Sequence, residues 1–421
     1  MISRGSSEVD LDIYSYAIGI SSQFYYCALP LRIDTYSQCL YDCAYCFARA
    51  RGGFRSRKAI ALMDVPRFSR QLEQSLTEQP KSILGEFLHR RLPIHLGGMT
   101  DPFPPIELKH RITLDLLKLL ARWQYPTIVS TKSDIVAREA YLDVLTQGRF
   151  VVQLSMSSTD DGLLRVIDRG TAGPTRLLQA ARTLLGAGIH VSCRIQPLLP
   201  SRESDAFQLI DECSNVGLRH VAVEHLKLPL ETTWRGTDVL SKCLKTDVRQ
   251  YYKQRHALRV GREWVLPTDE RLDRVLELRD YTHTHGMSFA AADNDLLLFS
   301  DGRCCCSGLD VMDADARFFE HTYAEAVRRG LDANRICLGN IDNAWVPKRS
   351  IARYVNSRSR IPGRAGKGAS IADYIQLNWN GRSNGCSPEM FYGVVKSDER
   401  DEHGHCVYHF RDDVRRLLTQ S

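Results

Sequence analysis

From about residue 28 to residue 300 the chain keeps a rhythm that few folds accommodate: short apolar runs rich in β-branched and aromatic residues alternate with longer stretches of helical period. Candidate strands are Leu29 to Tyr36, Pro93 to Gly97, Pro126 to Thr131, Phe150 to Ser155, Ile189 to Gln196, His220 to His225 and Ser288 to Ala292. The clearest helix is Thr175 to Leu185, where Leu177, Ala180, Ala181, Leu184 and Leu185 share one stripe and Gly186 follows. Such βαβα alternation predicts an α/β fold, a parallel sheet covered by helices. Both an open doubly wound sheet and a full or partial barrel carry this pattern.

The polar residues favour the barrel. Each strand is followed by groups suited to a site: Cys39, Cys43 and Cys46; Gly97-Gly98-Met99-Thr100-Asp101; Ser130 to Ser133; Ser155 to Ser158; Arg194 to Pro197; Glu224-His225; and Asp293-Asn294-Asp295. In a parallel (β/α) partial TIM-type barrel those ends converge on one mouth. The bland alternative is that exposed βα loops are polar anyway. The rhythm breaks at residues 229–267, a polar insertion with helical stretches, and composition shifts again beyond Ser300. The expected organisation is a lead segment over 1–27, the barrel over 28–300 and a C-terminal α+β extension over 301–421, with a helix expected from Asp313 to Arg329.

At 421 residues the chain exceeds what one core usually holds. Its 56 Lys and Arg against 50 Asp and Glu give a net charge of +6, too small to argue for a nucleic-acid partner. The first 25 residues lack a basic then apolar leader, and no apolar run approaches the ~18 residues of a membrane span. A soluble cytoplasmic protein is expected. Its 13 cysteines are far fewer than a disulfide scaffold would carry, so clustered ones suggest metal ligands or catalytic groups.

Three thiols fall within eight residues, Cys39-Leu-Tyr-Asp-Cys43-Ala-Tyr-Cys46, directly after a candidate strand. This spacing suits a loop wrapped around an iron-sulfur cluster, each thiolate reaching a different iron; no fourth cysteine follows within the loop, and Cys27 lies beyond the strand. One iron of a 4Fe-4S cluster would then be open to a cofactor or substrate. Zinc calls for paired C-x2-C motifs or added histidines, which are missing here. Inert buried cysteines are the other alternative, disfavoured by the spacing and the aromatic flanks Tyr41, Tyr45 and Phe47.

With Tyr45 before the third cysteine, the motif resembles that of the radical S-adenosylmethionine (radical SAM) superfamily. The resemblance is closest to the DNA repair photolyase-like branch that includes spore photoproduct lyase. Thr100 to Glu107, Ser130 to Asp134, Gln153 to Ser158 and Gly173 to Pro200 are similar to that branch in the same order. The resemblance implies that a 4Fe-4S cluster on Cys39, Cys43 and Cys46 binds S-adenosylmethionine (SAM) and cleaves it reductively. The resulting 5′-deoxyadenosyl radical would abstract hydrogen from a substrate, a nucleic acid or nucleotide by analogy. It further implies an electron donor such as flavodoxin or ferredoxin. Tyr45, Gly97, Gly98, Lys132, Ser155 and Arg194 become cofactor-binding candidates. The glycines would admit the methionine amino group, while Lys132 and Arg194 would meet its carboxylate and Ser155 the carboxylate or ribose. For Lys132 the alternative is a solvated loop lysine, and for Arg194 a salt bridge at the barrel rim. A non-enzymatic iron-sulfur sensor or nucleic-acid-binding protein is the second reading.

Two positions depart from the branch. Met99 stands near where the lyase carries a hydrogen-donating cysteine, and a thioether has no S–H. Phe47 replaces a tyrosine after the third cluster cysteine. The lyase's route to thymine-dimer repair is therefore doubtful here. In the C-terminal region Cys304, Cys305 and Cys306, with Cys337 and Cys386, are candidates for an auxiliary iron-sulfur cluster or zinc. Successive strand residues point to opposite faces, so alternate members alone would share a metal. Lys348, Arg349, Arg353, Arg358, Arg360, Arg364 and Lys367 surround Tyr354 and could meet the phosphates and bases of DNA or RNA. His283 and His285 read as structural.

Overall fold

The computed structural model describes residues 12–14, 17–21, 23, 26–27, 29–50, 60–231, 235–302, 306–309, 322–341, 370–381 and 387–419. Their main sheet has eight strands: β1 Ile18–Ile20, β2 Leu31–Ile33, β3 Ile94–Leu96, β4 Thr127–Thr131, β5 Phe150–Met156, β6 His190–Leu198, β7 His220–His225 and β8 Ser288–Ala291. Each strand lies beside its neighbour in this series. All adjacent pairs are parallel except β1 with β2. A doubly wound sheet would reverse its order at a switch point. This one never does, and β1 does not pair with β8, so the sheet is a partial TIM-type barrel.

Alternation along the strands gives the sheet two unlike faces. Leu31, Ile33, Leu96, Val129, Val152, Leu154, Val191, Ile195, Val221 and Phe289 join the main apolar core. The opposite face carries Arg32, His95, Ser130, Gln153, Ser192, Arg194, His220 and Glu224, which line the inside of the curve. Helices cover the apolar face because their own stripes match it. The helix Pro174–Gly186 begins on a proline, whose missing N–H costs nothing at that position, and buries Leu177, Leu178, Ala181 and Leu184.

Within the insertion, residues 229–267, lie the helices Arg235–Leu244 and Val248–Gln254. A small antiparallel sheet of Leu228–Pro229, Glu263–Val265 and Leu258–Val260 completes it. The helix expected from Asp313 to Arg329 is found as Tyr323–Arg329, and residues 310–321 lie outside the described residues. The rest of the described extension is mixed α and β: the helix Ile371–Trp379, the hairpin of Val394–Arg400 with Cys406–Phe410, and the helix Asp412–Thr419. Its Tyr323, Trp379, Phe391, Tyr408 and Val414 belong to the same core as the barrel.

A short piece of chain, 306–309, enters the curve of the sheet near the strands' N-terminal ends. The Gln153 side-chain amide donates to the Cys306 carbonyl at 2.9 Å, and Leu309 packs with Leu29, Ile128 and Val151. A Cβ on Gly308, where φ is +75°, would stand 2.7 Å from His220 Nδ1. Among the described residues no helix is long and apolar enough to cross a membrane.

Candidate cluster and cofactor site

The three-thiol loop leaves β2 at the strand's C-terminal end and is tied down on two sides. Asp34 accepts from the backbone N–H groups of Met99 (3.1 Å) and Thr100 (2.9 Å), and the Tyr41 hydroxyl donates to the Phe103 carbonyl at 2.7 Å. Asp42–Cys43 pairs antiparallel with Asp168–Arg169, and the Ala44 N–H donates to Ile167 at 2.7 Å. The loop is thus clamped between the turn after β3 and the turn after the helix Asp161–Ile167.

Cys39, Cys43 and Cys46 are half-buried and unoxidised. Burial pushes the Cys39 thiol up to about 12, with the Asp101 carboxylate and Cys46 adding to it. Burial likewise lifts Cys43 well above the usual thiol range, followed by Asp168, while Lys132 opposes; Cys39 and Cys46 contribute in the same direction as Asp168. The three sulfurs are close enough to feel one another. Even so, among the described residues no three His, Cys, Asp or Glu side chains converge where one metal ion could be held. A lone zinc needs every sulfur about 2.3 Å from a single point. A cluster gives each thiolate its own iron, and its cationic core would offset the burial that raises the Cys39 and Cys43 thiols. Three thiols on one short loop are the donor type that an iron-sulfur cluster takes.

Beside the loop, Lys132, Tyr45 and Ser155 meet around Asp168. The Lys132 ammonium, 14% exposed, lies 3.1 Å from Asp168 Oδ2, whose side chain is 2% exposed. It also donates to the Ser155 carbonyl at 3.4 Å and sits 5.4 Å from the centroid of the Tyr45 ring. The Tyr45 hydroxyl donates to Asp168 Oδ1 and lies 3.4 Å from Ser157 Oγ. Lys132 is therefore no solvated loop lysine. Asp101 organises the same corner: it accepts from Thr131 Oγ1 at 2.8 Å, from the Lys132 N–H at 2.7 Å and from the Phe103 N–H at 2.9 Å. Sequence reasoning did not single out Asp168. Its one signal is its place in the turn Asp168-Arg169-Gly170 that closes a short helix.

Gly97 has a φ of +90°, and a Cβ there would lie 2.3 Å from the Ser130 carbonyl oxygen. The backbone after β3 can take this path only without a side chain. At Gly98 a Cβ would touch Arg32 Cδ and His95 Nδ1, both at 3.4 Å.

Arg194 is in the salt bridge weighed as its alternative. One guanidinium nitrogen lies 2.5 Å from Glu224 Oε2 and another donates to Cys306 Sγ at 3.4 Å. Glu224 is shared further, with Gln196 at 2.6 Å and Lys227 at 2.5 Å. Burial would raise the Glu224 carboxyl, but Lys227 and Arg194 outweigh it and hold it below the usual range.

The C-terminal cysteines are not assembled among the described residues. Cys306 lies against Arg194 inside the barrel, whereas Cys337 accepts from Arg335 at 2.7 Å and feels Asp401 and Glu399 in the extension. Cys304, Cys305 and Cys386 lie outside the described residues, as does the basic stretch from Lys348 to Lys367. His283 and His285 are structural as expected, the first on Asp301 at 2.8 Å, the second on Asp211 at 3.0 Å.

No family model matches the chain. Among curated proteins it is 25% identical over 210 residues to an uncharacterized protein of Mycobacterium tuberculosis (strain ATCC 25618 / H37Rv). The same figures hold for an uncharacterized protein of Mycobacterium bovis; each match covers 48% of this chain and 60% of the relative. The chain thus spans less than two thirds of the length of the curated relatives it matches. Among solved structures it is similar to a spore photoproduct lyase variant with bound AdoMet and dinucleoside spore photoproduct, at 17% identity and a TM-score of 0.48, covering 66% of this chain and 81% of that one. It is also similar to Streptococcus suis SuiB bound to S-adenosylmethionine, at 16% identity and a TM-score of 0.37, covering 54% and 49%. Both of those structures hold S-adenosylmethionine.

Proposed function

We propose that this chain is a radical SAM enzyme. The observation that carries the reading is the C-x3-C-x2-C loop itself, folded at the C-terminal end of a strand in a sequentially ordered, mostly parallel sheet, with three half-buried thiols close enough to interact. Cys39, Cys43 and Cys46 would hold the 4Fe-4S cluster. When bound, cluster and SAM together would supply a reductive cleavage that generates a 5′-deoxyadenosyl radical.

The chain's own residues have separate tasks in this reading. Lys132 presents its ammonium to the cofactor carboxylate, and Asp168 with the Tyr45 ring fixes where that ammonium stands. The Gly97-Gly98 turn offers backbone without side chains to the amino group, and Ser155 faces the same corner on β5. Ala44, Leu164, Ile167, Leu199 and Leu226 form an apolar cluster behind the loop that limits water there. Arg194 acts as a positioning residue, because its fork is already engaged by Glu224 and Cys306.

The resemblance supports a nucleic acid or nucleotide as substrate and reduction by a flavodoxin or ferredoxin. Met99 and Phe47 argue against hydrogen return by the lyase's own route. The test is anaerobic purification and reconstitution, followed by dithionite and SAM. The expected result is about four irons and four sulfides per chain, 5′-deoxyadenosine formation, and loss of both in the Cys39→Ala/Cys43→Ala/Cys46→Ala variant. An intact cluster that yields no 5′-deoxyadenosine supports the sensor reading, and the absence of any cluster ends both.

A further inference from the structure

The chain's net charge of +6 is not spread over the molecule. Residues 235–262 of the insertion hold eight Lys and Arg against two Asp, which equals the whole excess, and everything else balances at 48 of each sign. Arg249 is paired with Asp238 at 2.8 Å and Arg255 with Glu270 at 2.7 Å. The Asp247 carboxylate is engaged at the start of the helix Val248–Gln254, where it accepts from the Gln250 N–H at 3.0 Å. Arg235, Lys242, Lys245, Lys253, Arg259 and Arg262 are exposed, and among the described residues none of the six has a carboxylate within ion-pair distance.

The fold decides which way these charges face. Leu240, Leu244, Val248, Tyr252 and Leu266 turn inward and pack with Ala44 of the thiol loop and with Leu164 and Ile167 of the helix that clamps it. The exposed cations therefore lie on the solvent side of the layer that covers the loop. In the helix Arg235–Leu244, Arg235 and Lys242 are two turns apart on one outward stripe. In the hairpin Arg259 stands directly opposite Trp264, and opposed residues of an antiparallel pair share a face. Trp264 is 40% exposed, so an indole is left to water beside a guanidinium. Unpaired cations along two helices and a hairpin suit a chain that carries a charge at every unit, and an exposed ring suits a base with a free face.

We propose that the outer face of the insertion binds single-stranded nucleic acid, with the basic side chains on its phosphates and Trp264 stacked on a base. In a duplex the base faces are covered by their neighbours, so the indole selects the single strand. The proposal deepens the reading above, naming a strand rather than a free nucleotide, and rests on it for the strand's role as substrate. Binding itself requires neither cluster nor SAM, so the two can fail separately.

The probe is a fluorescein-labelled mixed-sequence DNA strand of about twenty nucleotides, alone and annealed to its complement, read by fluorescence anisotropy on the full-length chain. With about four phosphates neutralised, the log–log salt slope for the single strand should be about −3. Lys242→Gln/Lys245→Gln/Arg259→Gln should weaken binding by at least about tenfold and reduce the slope by about 2. Trp264→Ala should weaken the single strand by about tenfold with the slope unchanged and the duplex unaffected, and Trp264→Phe should recover most of that loss. Lys118→Gln/Arg182→Gln/Lys396→Gln removes equal charge from exposed positions elsewhere and should change the affinity by less than about twofold. Equal weakening by that control, duplex binding as tight as the single strand, or no binding at all would overturn the proposal. Polyglutamate displacing the strand as effectively as unlabelled DNA at equal charge would point to an acidic protein instead, and would overturn it too.

Discussion

Lys132 and Asp168 meet where little water reaches, so each charge depends on the other. Removing one partner strands a buried charge, and Lys132→Met is expected to cost about 3 kcal/mol or more of unfolding free energy. Asp168→Asn should cost a comparable amount. The double variant should lose clearly less than the sum, a coupling that a double-mutant cycle by chemical denaturation would read. Gly97→Ala puts a methyl group against a backbone oxygen at a φ of +90° and should destabilise by at least about 2 kcal/mol. Two histidines on the inner face of the sheet, His95 and His220, set an acid limit. Burial, then Arg32 and Arg194, lowers His95 to about 3; burial, opposed by Asp301, lowers His220 to about 4. An unfolded histidine binds its proton near pH 6.5, so the unfolded state gains protons first. Stability from these rings is then complete above about pH 6.5 and falls as the pH drops toward 4 and 3, by up to about 1.4 kcal/mol per pH unit for each. His95→Gln should flatten that decline when denaturation midpoints at pH 7.5, 6 and 5 are compared.

At the scale of elements, the sheet was the legible part. His220 to His225 appears with the bounds read from sequence, and the other expected strands differ mainly at their ends. Leu29 to Tyr36 shrinks to Leu31–Ile33 because the chain turns away at Asp34, whose carboxylate is used to tie down Met99 and Thr100. Ile18–Ile20 escaped notice because three residues show no period. The site was legible where it is written consecutively, in the cysteine spacing and the glycine pair. It was illegible where the fold supplies it: Asp168 reaches Lys132 across 36 positions, and Asp293 reaches His225 across 68. Nothing local marks such partners. Gly308 is another case, meaningful only once His220 lies beside it. Gly308→Ala should displace 306–309, disturb the 2.7 Å bond between Ser192 and His220, and lower the midpoint temperature by several degrees in calorimetry.

Taken whole, the described barrel and extension share one apolar core, joined by polar contacts. The Tyr392 N–H donates to Asp295 at 2.8 Å, and Arg328 donates to the carbonyls of Leu298 (3.1 Å) and Ser300 (2.7 Å). The full chain should therefore unfold in a single calorimetric transition. A chain ended at residue 302 should expose the face left by Tyr323 and Trp379 and aggregate on purification. The segment 306–309 has a wider bearing. Because Cys306, Gly308 and Leu309 pack against residues of β4, β5 and β7, the C-terminal region supplies part of the barrel's own filling, and losing it would leave the lower interior of the curved sheet without those contacts.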